Sequence, residues 1–185
     1  MTRLGIHGAA GRMGQRLIAL AQEDNDLTVT AALEIAGHPE LGEDAGTLAA
    51  IGEIGVGLTQ TWPTEPLDIL IDFSAPDATS KAIDACVQRG VAMLIGTTGL
   101  TNDDHRRIDE AGQTIAVLQA PNMSMGVNVM LALAAQAADR LGDDYDIEIV
   151  EAHPRFKTDA PSGTALGLAQ AICDATGKDE DRDLV

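Results

Sequence analysis

The sequence predicts an α/β fold, a doubly wound parallel sheet followed by the start of a smaller α+β unit. Three observations carry this. Strand-like apolar runs alternate with helical periodicity from Arg3 to Gln119. The first run feeds directly into a glycine-rich turn and a helix. After Pro121 the alternation gives way to alanine-rich helical segments. Strands that alternate with helices pair in parallel and are covered by helices on both faces.

Taken in order, Arg3–His7 is a short strand, and Arg12–Glu23 beyond the glycine turn reads as a helix. Leu27–Leu33, rich in Val, Thr and Leu, is a second strand, followed by a glycine-rich loop with little periodicity from Ala36 to about Gly57. Leu67–Phe73 is a buried strand. Ser74 is placed to cap the next helix, with Pro76 in its first turn and Gly90 just past its end. Val91–Ile95 is a strand, Thr101 caps a helix reaching about Ala111, and Thr114–Gln119 is the fifth strand. Beyond a boundary expected near Ser124, Val127–Leu141 reads as a helix and Asp146–Glu151 as a strand. Gly163–Ala175 is then a helix ending near Gly177. Residues 1–124 and 125–185 are thus expected to be separate domains.

The chain has 185 residues, of which 45% are hydrophobic, and no run is long enough to span a bilayer. It opens into a strand rather than a signal peptide, so a soluble cytoplasmic protein is expected. Acidic groups outnumber basic ones 29 to 12, a net charge of −17. That opposes attraction to nucleic acid and to anionic membranes. A salt-adapted source and an ordinary solvated acidic surface both account for it. Cys86 and Cys173 have neither metal-type nor redox spacing and read as buried free thiols, and the scattered histidines predict no metal site.

The first strand ends in Gly8-Ala9-Ala10-Gly11-Arg12-Met13-Gly14, a GxxGxxG variant of the dinucleotide fingerprint. Glycine suits a tight turn whose backbone must approach a pyrophosphate. The helix that follows would direct its free N–H groups at that anion. Glu34, twenty residues past Gly14 at the end of the second strand, can accept hydrogen bonds from an adenosine ribose. A flexible turn with a surface glutamate is the plainer alternative. Arg12 either meets a cofactor phosphate or is solvated. The sheet is therefore expected to be Rossmann-like.

Gly96-Thr97-Thr98-Gly99 and Ala120-Pro121-Asn122-Met123 each follow a strand, at the carboxyl edge where open α/β sheets bind ligands. Glycine and threonine also suit a plain strand–helix connection. The segment from Glu151 to Thr164 gathers His153, Arg155, Lys157 and Asp159 ahead of a Ser162-Gly163-Thr164 helix start. Such a start can hold a carboxylate on backbone N–H groups and hydroxyls, and a histidine can exchange protons near neutrality. A polar loop ahead of a capped helix remains the alternative.

GAAGRMG, Glu34, IDFS at Ile71–Ser74, IGTTG at Ile95–Gly99, PNMSMGVNV at Pro121–Val129 and EAHPRFKTDAPSGTAL at Glu151–Leu166 occur in that order. Together they resemble the dihydrodipicolinate reductase family, over essentially the whole chain. The resemblance implies hydride transfer from NADH or NADPH to 4-hydroxy-tetrahydrodipicolinate (dihydrodipicolinate), giving tetrahydrodipicolinate in lysine and diaminopimelate biosynthesis. It further implies that Gly8 through Met13, Glu34, Gly96, Thr97, Thr98, Ala120, Pro121, Asn122 and Met123 contact the cofactor. His153 would donate or accept a proton, Lys157 would donate one near the substrate, and Gly163 and Thr164 would bind a substrate carboxylate.

Several positions depart from the family pattern. Pro154 stands where a second, substrate-contacting histidine is usual, and proline offers neither a backbone donor nor a ring acceptor. Phe156 replaces a polar or basic residue. Ile35 takes the place of an arginine that meets the extra phosphate of NADP, so NADH is the expected preference. Family members continue past Val185, so the chain is expected to be C-terminally truncated and its α+β substrate domain an incomplete start. A homo-oligomer is expected of the full-length protein. The competing readings are a related Rossmann imine or carbonyl reductase, and a cofactor-binding fragment without turnover.

Overall fold

The computed structural model describes residues 1–155 and 160–183. Lys157 therefore lies outside the described residues. The chain forms two compact units, Met1–Pro121 and Asn122–Val185. No helix among the described residues is long and apolar enough to cross a membrane.

The first unit runs β1 (Thr2–His7), α1 (Arg12–Glu23), β2 (Leu27–Leu33), α2 (Ala45–Leu48), β3 (Leu58–Thr59), β4 (Ile69–Asp72), α3 (Pro76–Arg89), β5 (Ala92–Ile95), α4 (Asn102–Ala111) and β6 (Val117–Gln119). The strands form one sheet in the order β3-β2-β1-β4-β5-β6, and every pair is parallel. The order reverses direction between β1 and β4. That is the topological switch point of a doubly wound sheet.

Alternation along the strands gives each face its own core. Leu4 and Ile6 of β1 and Ile69 and Ile71 of β4 pack with Ile18 and Ala21 of α1. Leu70, Met93 and Ile95 pack on the other face with Ala82, Ile83 and Cys86 of α3 and Ile108 and Ala111 of α4. Gly14, Ile18 and Ala21 supply the buried stripe of α1 at helical spacing. Ile6, Ile18 and Leu70 are wholly buried, each worth roughly 1.5–3 kcal/mol of apolar burial. In β2 the register slips at Thr30, because Leu4 pairs with Val29 and Gly5 with Ala31. This bulge explains why Val29 and Ala32, three apart, share one core while Leu33 joins the other.

Two features of this unit differ from the sequence reading. The segment read as an unpatterned loop contains α2, and the sheet has a sixth strand, β3. β3 pairs with β2, and Asp44 ties α2 to the segment leading into β3. Its Oδ1 accepts from the N–H groups of Gly46, Thr47 and Ile54, and its Oδ2 from those of Gly55 and Val56. Ser74 does not cap α3: the N-cap is Ala75, without a side-chain bond. The Ser74 hydroxyl donates to Asp72 Oδ1 instead, at 2.6 Å. Thr101 does cap α4, in a reciprocal capping box with Asp104, and Gly90 ends α3 at φ 65°.

The second unit contains α5 (Met125–Leu141), a 3-10 turn at Gly142–Asp144, α6 (Gly163–Thr176) and the short α7 (Glu180–Asp183). Ser124 caps α5, Ser162 caps α6, and Gly177 closes α6 at φ 68°. Asp146–Glu151, read from the sequence as a strand, is not one. A strand needs a neighbour for its N–H and C=O groups, and none pairs with it among the described residues. Asp146 through Val150 instead line a groove of about 470 Å³ beside Ala134, Ala138 and Ile172. Cys86 and Cys173 are both buried.

Candidate functional site

The carboxyl edge of the first sheet gathers the turns after β1, β2, β4, β5 and β6. The glycine turn is the tightest. Gly8 has φ +76°, and a Cβ there would sit 2.5 Å from the Phe73 carbonyl oxygen. Glycine is required on both counts. A Cβ on Gly14 would collide with Gly8 O and lie 2.6 Å from Ala9 Cα, so glycine is what lets α1 start hard against the end of β1. The N-cap of α1 is Gly11, with no side-chain bond to the first turn. Gly11, Arg12 and Met13 are exposed, whereas Gly8 and Ala9 are buried. A bare glycine cap with accessible first-turn N–H groups fits a pyrophosphate.

Glu34, just past β2, lies against this loop. Its Oε2 accepts from Ala10 N–H at 3.1 Å and its Oε1 from Ile35 N–H at 2.9 Å. Gly8, Ala9, Ala10, Gly11, Arg12, Met13 and Glu34 are thus brought together.

The turn after β5 is anchored from below. Gly96 is packed against the ring of Phe73, in the space a Cβ would take. Thr97 is buried, and its hydroxyl is wholly committed within the protein. It donates to Asp72 Oδ2 at 2.7 Å and accepts from Ser74 N–H at 3.1 Å. Only the backbone of Thr97 remains for a ligand, whereas Thr98 is exposed. Ala120 bonds through its N–H to Ile95 O at 3.1 Å, which sets the turn after β6 beside that after β5. Pro121 closes the first unit and is exposed. Asn122 and Met123 belong to the second unit. There Asn122 Oδ1 accepts from Ser124 N–H at 2.9 Å, and its carbonyl accepts from the Asn128 amide at 3.0 Å.

Asp72 is the group at this edge to which the sequence reading gave no role. It is wholly buried at the end of β4. Its Oδ1 lies 2.7 Å from His7 Nδ1 and accepts from Ser74, while its Oδ2 accepts from the hydroxyls of Thr79 at 2.6 Å and Thr97. Burial pushes its carboxyl up, but the bonds from His7, Ser74 and Thr79 outweigh that and hold it below the usual carboxylate range. The available signal was a pair of polar residues, His7 and Asp72, directly after the apolar stretches Leu4–Ile6 and Ile69–Ile71. By contrast Cys86, whose thiol burial pushes up to about 12, is inert.

In the second unit, His153 Nδ1 stands 3.2 Å from Glu151 Oε2. Glu151 Oε1 accepts from Ser162 N–H at 2.8 Å, and Ser162 Oγ accepts from Ala165 N–H at 3.1 Å. Glu151 therefore joins His153 to the start of α6, where Gly163 is exposed and Thr164 half-buried. Glu151 was quoted in the sequence motif without a role. Its signal is a carboxylate two residues from the histidine.

A parallel sheet of this strand order, with a glycine turn feeding a helix beside its switch point, defines a Rossmann-type nucleotide-binding fold. Residues 2–123 match the family model for the N-terminus of dihydrodipicolinate reductase, and residues 126–184 match that for its C-terminus. The chain belongs to the dihydrodipicolinate reductase family. It is 42% identical over 184 residues to the 4-hydroxy-tetrahydrodipicolinate reductase of Pelobacter propionicus, covering 98% of this chain and 69% of that protein. With the enzyme of the same name from Pseudomonas fluorescens it shares 46% identity over 182 residues, 97% of this chain and 68% of the other. A solved structure, the dipicolinate-bound dihydrodipicolinate reductase from Paenisporosarcina sp. TG-14, superposes with a TM-score of 0.74 at 27% identity. That match covers 95% of this chain and 66% of that one.

Proposed function

We propose that this chain carries the reductase chemistry of its family. It transfers a hydride from NADH or NADPH to 4-hydroxy-tetrahydrodipicolinate, with uptake of a proton and loss of the hydroxyl as water, giving tetrahydrodipicolinate for lysine and diaminopimelate biosynthesis. The observation that carries this reading is that both family models match in order, one on the sheet with the glycine loop and one on the segment holding His153. A dicarboxylate substrate accords with the dipicolinate held by the related solved enzyme.

Residues 1–124 act as the dinucleotide-binding domain. The backbone from Gly8 to Met13 holds the pyrophosphate at the start of α1, and Glu34 accepts from the adenosine ribose. Gly96, the Thr97 backbone, Thr98 and Ala120 through Met123 flank the nicotinamide half. When bound, the reduced nicotinamide supplies the hydride. With Glu34 at the loop and no charge on Ile35, NADH is the preferred donor.

Residues 125–185 form the beginning of the substrate-binding and catalytic domain. Gly163 and Thr164, at the N-terminus of α6, take one substrate carboxylate on backbone N–H groups and a hydroxyl. His153 exchanges a proton, and Glu151 orients its ring through Nδ1 and stabilises it when protonated. Lys157 donates a proton near the substrate.

Titration of the purified chain with NADH and NADPH, followed by nicotinamide fluorescence, tests the cofactor half. Oxidation of NADH dependent on the product of dihydrodipicolinate synthase tests the reaction. Failure to bind either dinucleotide overturns the proposal. Binding without substrate-dependent oxidation would identify a cofactor-binding module instead.

A further inference from the structure

The cluster around Asp72 is left unused by the roles above, and it occupies a telling position. The switch point falls between β1 and β4, and His7 and Asp72 are the residues that end those two strands, paired in register. Both side chains lie on the face covered by α3 and α4. Asp72 alternates with Leu70 of that core, and His7 alternates with Gly5, where a Cβ would stand 2.9 Å from Leu70 Cδ1. Ligands of open α/β sheets bind outside the carboxyl ends of the strands at such a point.

The imidazole is chemically fixed there. Asp72 is a carboxylate held below its ordinary range, so it only accepts, and His7 Nδ1 at 2.7 Å must carry the hydrogen. In the neutral ring the other nitrogen, Nε2, is then an acceptor. Nε2 has no hydrogen-bond partner among the described residues, and it is not a sealed, unsatisfied atom. The side chain retains 13% exposure at the edge. Thr79 and Thr97 saturate the far carboxylate oxygen and Ser74 shares the near one, so the carboxylate cannot rotate without breaking several bonds.

We propose that His7 is a further cofactor contact. Its Nε2 accepts a hydrogen bond from a donor on the bound nicotinamide dinucleotide, and Asp72 is the positioning residue that fixes the tautomer. The proposal rests on reading this edge as the dinucleotide site. An acceptor at this point selects among the groups the dinucleotide can offer. Ribose hydroxyls and the carboxamide N–H donate, whereas the pyrophosphate oxygens only accept. His7 therefore contacts a ribose or the carboxamide, and the pyrophosphate stays with the glycine loop.

Nitrogen-15 NMR of the imidazole reads the tautomer directly. The expected result in the cofactor-free chain is hydrogen on Nδ1 and none on Nε2, with the Nε2 resonance moving upfield as NADH is titrated in. His7→Phe should weaken NADH binding by about tenfold, the loss of one hydrogen bond. His7→Gln, which keeps an acceptor near the Nε2 position, should recover part of it. A wild-type ring carrying hydrogen on Nε2, alone or together with Nδ1, an Nε2 resonance unmoved by saturating NADH, or His7→Phe binding NADH within twofold of wild type would overturn the proposal. If the wild-type chain binds neither NADH nor NADPH, the proposed function falls and this inference with it. If the wild type binds and His7→Phe binds equally, only the inference falls.

Discussion

The Glu34 carboxylate accepts a hydrogen bond from the Ala10 backbone N–H at 3.1 Å, which brings the acid at the end of β2 into the glycine loop itself. On the proposed cofactor reading, this holds a negative charge where the adenosine half of a dinucleotide would meet the loop. The neighbouring Ile35 is 55% exposed and brings no compensating cation. A unit charge set against a phosphate at a partly exposed site costs on the order of 1 kcal/mol. NADH should therefore have the higher kcat/KM, and Glu34→Gln should narrow its advantage over NADPH by roughly fivefold. Paired dissociation constants for the two cofactors check this. An advantage for NADPH in the wild-type chain would refute it.

Gly14 offers a sharper test of the loop. A Cβ there collides with the carbonyl of Gly8, whereas a Cβ at the exposed Gly11 would sit 3.1 Å from the same oxygen. Gly14→Ala must push α1 away from the end of β1, at a cost of about 1–3 kcal/mol by overpacking. NADH affinity should fall more than tenfold, with a lower melting temperature. Gly11→Ala should fold nearly as well as wild type. Equal binding by the Gly14 variant would mean that the loop does not set the cofactor's approach.

Asp104 makes the fold sensitive to acid. The Ser80 hydroxyl first, then the Thr101 hydroxyl and N–H, hold its carboxyl down to about 2, from an ordinary value of 3.8. A group with a depressed folded value stabilises the fold above its unfolded value, and that contribution is lost as pH falls toward the folded value. Stability should therefore decline between about pH 4 and pH 2. Asp104→Asn should start less stable at pH 7 and lose less across that window. Urea unfolding at a series of pH values measures both slopes, and parallel slopes would exclude Asp104 as a contributor.

The parts of this molecule that could be read from its sequence are those written in local pattern. The alternation of runs gave the strand–helix order, and the spacing of Gly8, Gly11 and Gly14 marked the loop because only backbone geometry demands glycine there. What escaped depends on partners distant in the chain. Asp72 meets His7 across 65 residues and Thr97 across 25, so neither bond leaves a local signature. The same bonds misled the cap assignment, since Ser74 is a good N-cap type whose hydroxyl is claimed by Asp72. The Ala36–Gly57 segment packs Leu41, Ala45, Leu48, Ile54 and Val56 into the core without regular periodicity, and Asp44 ties it together through backbone N–H groups. Asp146–Glu151 shows the reverse failure. Its residues suit a strand, but a strand is a relation between two segments, and its pattern could not reveal that none pairs with it among the described residues.

His153 and Lys157 carry the last prediction. His153 Nδ1 is paired with Glu151 at 3.2 Å, and the other oxygen of that carboxylate accepts from Ser162 N–H, so the ring is referenced to the start of α6. General acid–base groups contribute roughly 10²–10⁴-fold to rate. His153→Gln and Lys157→Ala should each lower kcat by about that factor while changing NADH affinity less than about twofold, because the loss falls on proton transfer. Glu151→Gln keeps the shape of the partner and removes its charge, so it should lower kcat by only about tenfold and alter the pH profile of kcat. Steady-state kinetics with parallel NADH titrations separates these outcomes. Near-normal kcat in both His153→Gln and Lys157→Ala would remove the loop from the chemistry. A loss confined to NADH binding would move His153 from proton transfer to cofactor contact.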